Sequence, residues 1–239
     1  MTGVSVLWRG GGLVAVDKSA GVLVVPGRNG GPEPCLRQQL EAALGHPVWV
    51  VHRLDRDTSG VMLFALDAAS HRAASVAFER GEVRKTYLAI VTPSLEAPVI
   101  IDAPLLPARR GRMRLARPGE TGKPARTRLR PIECHLCGGL VEAEPLTGRT
   151  HQVRLHLQAA GSPLSVDAQY GRSEPLTHAS LGGRGEAVVL GRTPLHSARL
   201  VLEATNGLPA VDVEAPLPED MRQTLLLLRS QGATVKGAD

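Results

Sequence analysis

Nine residues, His52-Arg53-Leu54-Asp55-Arg56-Asp57-Thr58-Ser59-Gly60, place two carboxylates, two guanidiniums and an imidazole between the apolar runs Val48–Val51 and Val61–Leu66. An ionised carboxylate can serve as a nucleophile or a general base, and a guanidinium beside it lowers its pKa and keeps it charged. The same composition suits a plain polar loop, in which Asp57, Thr58 and Ser59 bond the local backbone and Gly60 takes a strained angle. Residue types alone do not single out Asp55 over Asp57. A second grouping, Cys134-x2-Cys137-x13-His151-x4-His156, has nearly a zinc-finger spacing. A helix through both histidines, five residues apart, would point them about 140° away from each other. The segment between also lacks the aromatic residue a finger's small core requires. The match is therefore read as accidental, with Cys134 and Cys137 as buried thiols and no metal or cofactor expected.

The elements that would position these groups follow from periodicity. Val48–Val51 and Val61–Leu66 read as buried strands that hold the charged loop rigidly. Leu13–Val16 and Val22–Val25 read as another strand pair turning at Gly21, and Gly27–Pro34 as a loop. Leu36, Leu40, Ala43 and Leu44 recur at helical spacing up to Gly45. Asp67 reads as the N-cap of a helix with Ala69, Ala73, Val76 and Ala77 on one face and Gly81 as its stop. Lys85–Val91 and Leu140–Glu144 are further strands. A helix from about Thr150 to Ala160 would turn Val153, Leu157 and Ala160 to the core and leave His151 and Arg154 together on the opposite face. Val188–Leu190, Leu195–Ala198, strands around Leu200 and Val211, and a helix between Pro218 and Gly232 complete the chain.

At 239 residues, the length suits one sizeable core, and no linker is long enough to divide it, so a single domain over 1–239 is expected. The first residues do not read as a signal peptide, and no apolar run reaches membrane-spanning length. Three cysteines are too few for a disulfide framework, which points to a reducing, cytoplasmic setting. The net charge of +5 is unevenly placed: nine Lys or Arg lie between Arg109 and Arg130 against the single Glu120. Prolines and glycines break that segment into loops, and a mobile basic loop suits tracking a phosphate backbone, with Arg112 and Arg114 among its contacts.

The wording of the charged loop goes further. His52-Arg53-Leu54-Asp55-x-x-Thr58-Ser59-Gly60 resembles the signature of the RluA-type RNA pseudouridine synthases. Asp17-Lys18-x-Ala20-Gly21 looks like that family's first motif, Lys85-x-Tyr87 its lysine-x-tyrosine strand, Gly148–Arg154 its third motif and Leu195-His196 its C-terminal element. The resemblance covers roughly residues 5–229. Its first motif begins within the first twenty residues, as in compact members without a separate N-terminal RNA-binding domain. Ser19 stands where proline is usual, and Ser165-Val166-Asp167 where Val-Gly-Asp is commoner.

The resemblance implies one α+β domain, a mostly antiparallel mixed sheet flanked by helices, with a central basic cleft. It implies isomerisation of a uridine in structured ribosomal or transfer RNA, the base leaving its stack to reach the enzyme. Asp55 would be the catalytic aspartate, Arg154 its partner, and Tyr87 the residue packed on the base. Arg53 would fill the vacated space, with Lys18, Lys85, Arg149, His151, Arg112 and Arg114 binding substrate. No cofactor, membrane or obligatory protein partner is implied, and the expected state is a cytoplasmic monomer. Two other readings are a catalytically silent RNA-binding protein of this fold and a metal-dependent hydrolase using Asp55, Asp57 and nearby histidines.

Overall fold

Short β-branched runs become strands, and consecutive strands pair where a tight turn lets them. The computed structural model describes residues 4–27 and 33–230. In chain order the elements are β1 (Ser5–Gly10), β2 (Leu13–Lys18), α1 (Leu36–Leu44), β3 (Trp49–Val50), β4 (Ser59–Ala65), α2 (Ala68–Glu79), β5 (Val83–Val91), β6 (Val99–Asp102), β7 (Leu105–Pro107), β8 (Met113–Leu115), β9 (Arg126–His135), β10 (Gly138–Pro145), α3 (Gln152–Ala159), β11 (Leu176–Thr177), β12 (Val188–Leu190), β13 (Leu195–Leu202), β14 (Val211–Glu214) and α4 (Glu219–Ser230). The class is α+β, with a large, mostly antiparallel sheet and few helices, as the resemblance implies. Among the described residues no helix is long and apolar enough to cross a membrane.

The chain packs as two compact units, Met1–Lys85 with Ser197–Pro216, and Thr86–His196 with Leu217–Asp239. It passes between them within β5, within β13 and just before α4. In the first unit β2 is a central strand, pairing with β1 across the Gly11-Gly12 turn and with β4 on its other edge. Its near-continuous apolar sequence reflects that double burial. Leu13, Ala15, Val61 and Leu63 pack with Ala74 and Ala77 of α2 and with Leu200, Val211 and Val213 into one core.

Two expectations for this unit change. Val22–Val25 is not a strand: the carbonyls of Leu23 and Val24 accept the backbone N–H groups of Leu36 (2.8 Å) and Arg37 (3.2 Å), donors that the first turn of α1 leaves without a helical partner. The helix after Asp67 does form, and Asp67 Oδ1 accepts the Ser70 N–H at 2.7 Å. Its packed stripe, however, is Ala73, Ala74, Ala77 and Phe78, while Ala69 is exposed. Alanines line several faces of that helix, so spacing does not fix its phase. The bulk of Phe78 does.

In the second unit the strand order is β5-β10-β9-β6, antiparallel throughout, with β7–β8 and β11–β12 as separate hairpins. Val153 and Leu157 of α3 join Ala89, Val91, Val141 and Ala143 in one cluster, while Leu155, on the other side of the helix, packs with Leu105 and Ala125. Helix α3 is thus buried from Gln152 to Leu157. It starts later than expected, with His151 outside it as a left-handed N-cap residue (φ 56°). His151 and Arg154 therefore do not share a solvent face: Arg154 is inside. The sequence expectations at residues 28–32 of the Gly27–Pro34 loop, and at Gly232, lie outside the described residues.

Candidate active site

In the first unit, the loop that carries Asp55 is held from beneath. Leu54 and Thr58 are buried, Asp55 is partly buried, and Arg53 points into solvent with no acidic partner among the described residues. The Lys18 ammonium, fully buried, donates to the carbonyls of Arg56 (2.8 Å), Thr58 (2.8 Å) and Ser19 (2.9 Å). Gly21 N–H donates to Arg56 O and Arg56 Nε donates to Gly21 O, both at 2.9 Å. Thr58 N–H closes a turn onto the Asp55 carbonyl at 3.2 Å. The resemblance places Lys18 among the substrate-binding residues. In the structure its ammonium is buried beneath the loop and bonded to the loop's backbone.

Gly60 ends the loop at φ +107°, where a Cβ would lie 2.2 Å from the Ser197 carbonyl oxygen. Both the angle and the approach exclude side chains there. At the other end His52 is locked as a neutral base: its Nε2 accepts the Leu63 N–H at 2.9 Å, and its ring stacks on Phe78 at 4.5 Å and 20°. Burial, and secondly the charge of Lys85, push its pKa down to about 3. The Lys85 ammonium stands 5.8 Å from the Phe78 centroid, and burial lowers its pKa too.

Tyr87 and Arg154 lie in the second unit. Tyr87 lies opposite Ala143 on β10 and packs against the cluster that holds Val153 and Leu157, the α3 residues on either side of Arg154. Arg154 Nε donates to Asp167 Oδ2 at 2.8 Å and Nη2 to Asp167 Oδ1 at 2.7 Å, a bidentate buried pair. Nη2 also reaches Gln169 Oε1 at 3.1 Å, and the guanidinium carbon sits 4.8 Å from the Tyr170 ring centroid. His151 meets the same tyrosine, Nδ1 to the hydroxyl at 2.6 Å. Burial by itself would raise the Asp167 pKa, but the hydrogen bonds and charge of Arg154 with two backbone N–H groups bring it below the ordinary value.

Gln152, just ahead, uses its amide as a strut. Its Oε1 accepts from Thr147 Oγ1 and Arg149 N, and its Nε2 donates to Arg126 O and Thr127 Oγ1. Arg149 itself is exposed, donating from Nε to Pro124 O at 3.0 Å. His156 Nε2 donates to Ala103 O at 3.1 Å, so Nδ1 is left to accept from the Thr127 hydroxyl at 2.7 Å. Both of its nitrogens are thus engaged, and Cys134 donates to Leu95 O at 3.1 Å. Among the described residues no three His, Cys, Asp or Glu side chains are grouped to hold a metal ion.

The basic segment divides. Arg114 is bound bidentately to Glu120, which also accepts the Arg117 N–H. Arg126, Arg128 and Arg130 alternate outward along β9 and face Asp102, Glu144 and Glu142 at 3.7, 3.0 and 3.1 Å. Among the described residues Arg109, Arg112 and Lys123 are exposed with no acidic partner, while Arg117 lies within the field of Glu120. Asp167 and Tyr170 were not legible as site residues. Asp167 enters only in the Ser165-Val166-Asp167 departure from the family pattern; in the structure its Oδ1 also accepts from Gln169 N and Tyr170 N.

Sheet, loop and helix are those of one class of RNA-modifying proteins. The family model described as RNA pseudouridylate synthase matches residues 12–159, and the chain belongs to that family. It is 34% identical over 238 residues to the ribosomal large subunit pseudouridine synthase D of Nitrosomonas europaea, covering 95% of this chain and 66% of that protein. It is 37% identical over 186 residues to the ribosomal large subunit pseudouridine synthase C of Escherichia coli strain K12, covering 76% of this chain and 56% of that protein. The chain thus spans between half and two thirds of these curated relatives. Two human structures are similar at 25% identity: RNA Pseudouridylate Synthase Domain Containing 4, with a TM-score of 0.75 over 94% of this chain and 93% of that one, and Domain Containing 1, with a TM-score of 0.71 over 95% of each.

Proposed function

We propose that this chain isomerises uridine in RNA to pseudouridine. The C1′–N1 glycosidic bond breaks, the base turns, and a C1′–C5 bond forms. C5 loses its proton and N1 gains one, so no redox partner or group donor enters the balance. Asp55 is the reacting carboxylate, as nucleophile or as the base that promotes elimination. Arg154 is the catalytic arginine, and Tyr87 packs on the base and assists removal of the C5 proton. The uridine is flipped from its stack at a cost of a few kcal/mol, and Arg53 fills the space it leaves. Lys85, Arg149, His151 and Arg112 bind the RNA, Arg114 contributes beside Glu120, and Lys18 acts through the loop. The protein works as a cofactor-independent monomer, in a single catalytic domain with a basic cleft, in the cytoplasm.

The observation that carries this reading is the hold on the Asp55 loop, from Lys18 within, His52 at one end and Gly60 at the other, inside the stretch matched to the family. A carboxylate on a rigid loop beside an exposed arginine suits chemistry on a base turned out of a helix. The names of the relatives make large-subunit ribosomal RNA the first substrate to try, ahead of transfer RNA. The test is release of tritium from carbon-5 of labelled uridine in such RNA. Wild type is expected to release it, and Asp55→Asn, an isosteric amide with neither charge nor nucleophilicity, is expected to bind the RNA and release none. Full release by Asp55→Asn would overturn the proposal. Binding without turnover by wild type would favour a silent RNA-binding protein.

A further inference from the structure

Tyr170 touches three parts of the second unit at once. Its hydroxyl accepts the Met113 N–H at 2.8 Å, a donor on strand β8 of the β7–β8 hairpin. The same hydroxyl lies 2.6 Å from His151 Nδ1 at the start of α3, and its ring is edge-on to that imidazole at 5.4 Å between centroids. The ring face lies under the Arg154 guanidinium. Around it Leu105, Met113 and Leu115 of the hairpin pack with Leu155 of α3 into a small cluster of their own. Arg109 and Arg112, exposed and without an acidic partner among the described residues, sit in the turn of that hairpin.

Two strands of three residues make a poor free-standing hairpin, because so short a ladder supplies few hydrogen bonds and little buried area. Its orientation must come from what it docks on: Leu105 exchanges two backbone hydrogen bonds with Lys123, both at 2.9 Å, and the Tyr170 hydroxyl is the polar link that joins the β8 side of the hairpin to the start of α3. We propose that Tyr170 is a positioning residue that latches the basic hairpin to helix α3, so that the hairpin's grip on an RNA backbone depends on the same side chain whose ring packs on Arg154, itself held by Asp167. The inference rests on the RNA-modifying function proposed above. The ring packs on Arg154 through its face, and the hydroxyl orients the hairpin through Met113, so the two contacts separate in one conservative variant.

The test compares wild type, Tyr170→Phe, Arg112→Ala and the double variant, in binding to protein-free large-subunit ribosomal RNA transcribed in vitro and in tritium release. Tyr170→Phe keeps the ring and is expected to unfold at the wild-type temperature. It should weaken RNA binding and raise KM about five- to tenfold, the scale of one lost hydrogen bond to an ordered segment, with kcat changed less than about twofold. Backbone amides of residues 105–117 should exchange faster with deuterium. Arg112→Ala should cost less in the Tyr170→Phe background than in wild type, because a loosened hairpin no longer presents that guanidinium. Unchanged affinity and exchange in Tyr170→Phe, strictly additive effects of the two substitutions, or a fall in kcat at constant KM would each overturn the latch. The binding cycle needs no turnover, so an inactive wild type would count against the proposed catalysis while leaving the latch decided by affinity and exchange alone.

Discussion

Arg154 and Asp167 close on one another through two parallel hydrogen bonds of 2.8 and 2.7 Å, both side chains buried. Thirteen residues separate them, and the turn at Asp167 brings its carboxylate beneath the helix. The guanidinium is thereby held in one orientation, which is the preorganisation that the catalytic role proposed for it requires.

Replacing Asp167 with Asn should leave a buried cation short of its counter-charge and destabilise the protein by about 3 kcal/mol or more. Because the folded-state pKa of Asp167 lies below its ordinary 3.8, its contribution is present above about pH 3.8 and is lost as pH falls through the lower folded value. Urea unfolding across the acid range should therefore show a shallower loss of stability in Asp167→Asn than in wild type below that pH. A variant as stable as wild type at neutral pH would mean that the pair contributes no net stability.

Lys18→Met tests whether the buried ammonium works through the loop. Methionine has nearly the same length but cannot donate, and the Ser19, Arg56 and Thr58 carbonyls lose their shared donor. Stability should fall by about 3 kcal/mol, at about 1 kcal/mol per hydrogen bond. Activity should fall at least about tenfold in kcat with little change in KM, since a loosened loop misplaces a reacting group without removing an RNA contact. A rise in KM at constant kcat would instead assign Lys18 to direct substrate contact.

Much of the frame was legible because its signals are local. The Lys85–Val91 strand, the Leu36–Leu44 helix with Gly45 after it, and the Asp67 cap all form where side-chain spacing and capping chemistry place them. Val22–Val25 failed because apolar spacing says nothing about where carbonyls find donors, and here α1 supplies them. Arg154 was expected on an outer helix face because a charged residue is assigned to solvent until its partner is known. That partner, Asp167, is set by tertiary folding, and nothing in the local pattern links the two. The nine clustered basic residues looked alike for the same reason. Only cross-strand register tells Arg128, opposite Glu144, from Arg112, which has no such neighbour among the described residues.

His52 should give the protein an acid-sensitive step distinct from that of Asp167. Its folded pKa of about 3, against an ordinary 6.5, means that the unfolded chain takes up the proton first as pH falls. The contribution is fully present above about pH 6.5 and declines between there and about pH 3, with a slope of at most roughly 1.4 kcal/mol per pH unit. In His52→Gln, whose side-chain oxygen can still accept from Leu63 N–H, stability between pH 4 and 6.5 should vary less than in wild type, as measured by urea unfolding in matched buffers. An identical pH profile in both would show that the ring titrates as it does in the unfolded chain.

The division of the basic segment makes the last expectation quantitative. A cation already facing a carboxylate gains little from a phosphate, because the counter-ions it would release are partly displaced and its neighbour repels the newcomer. Arg109, Arg112 and Lys123 should therefore carry the salt dependence of RNA binding. Neutralising each should reduce the log–log slope by about 0.7 for a single-stranded contact. Arg128→Ala and Arg130→Ala should leave the slope nearly unchanged, since Glu144 and Glu142 offset those charges. Glu120 provides the converse. Its carboxylate, drawn down to about pKa 2 chiefly by the hydrogen bonds from Arg114, is ionised at every working pH. Glu120→Gln leaves the Arg114 guanidinium unneutralised, so it should tighten RNA binding and steepen the slope. Affinities measured by fluorescence anisotropy between about 50 and 300 mM salt, a range over which one single-stranded contact changes affinity about 3.5-fold, would separate the groups. Equal slope changes at Arg112 and Arg128 would mean that the ion pairs on β9 open for RNA and that the whole segment acts as one basic face.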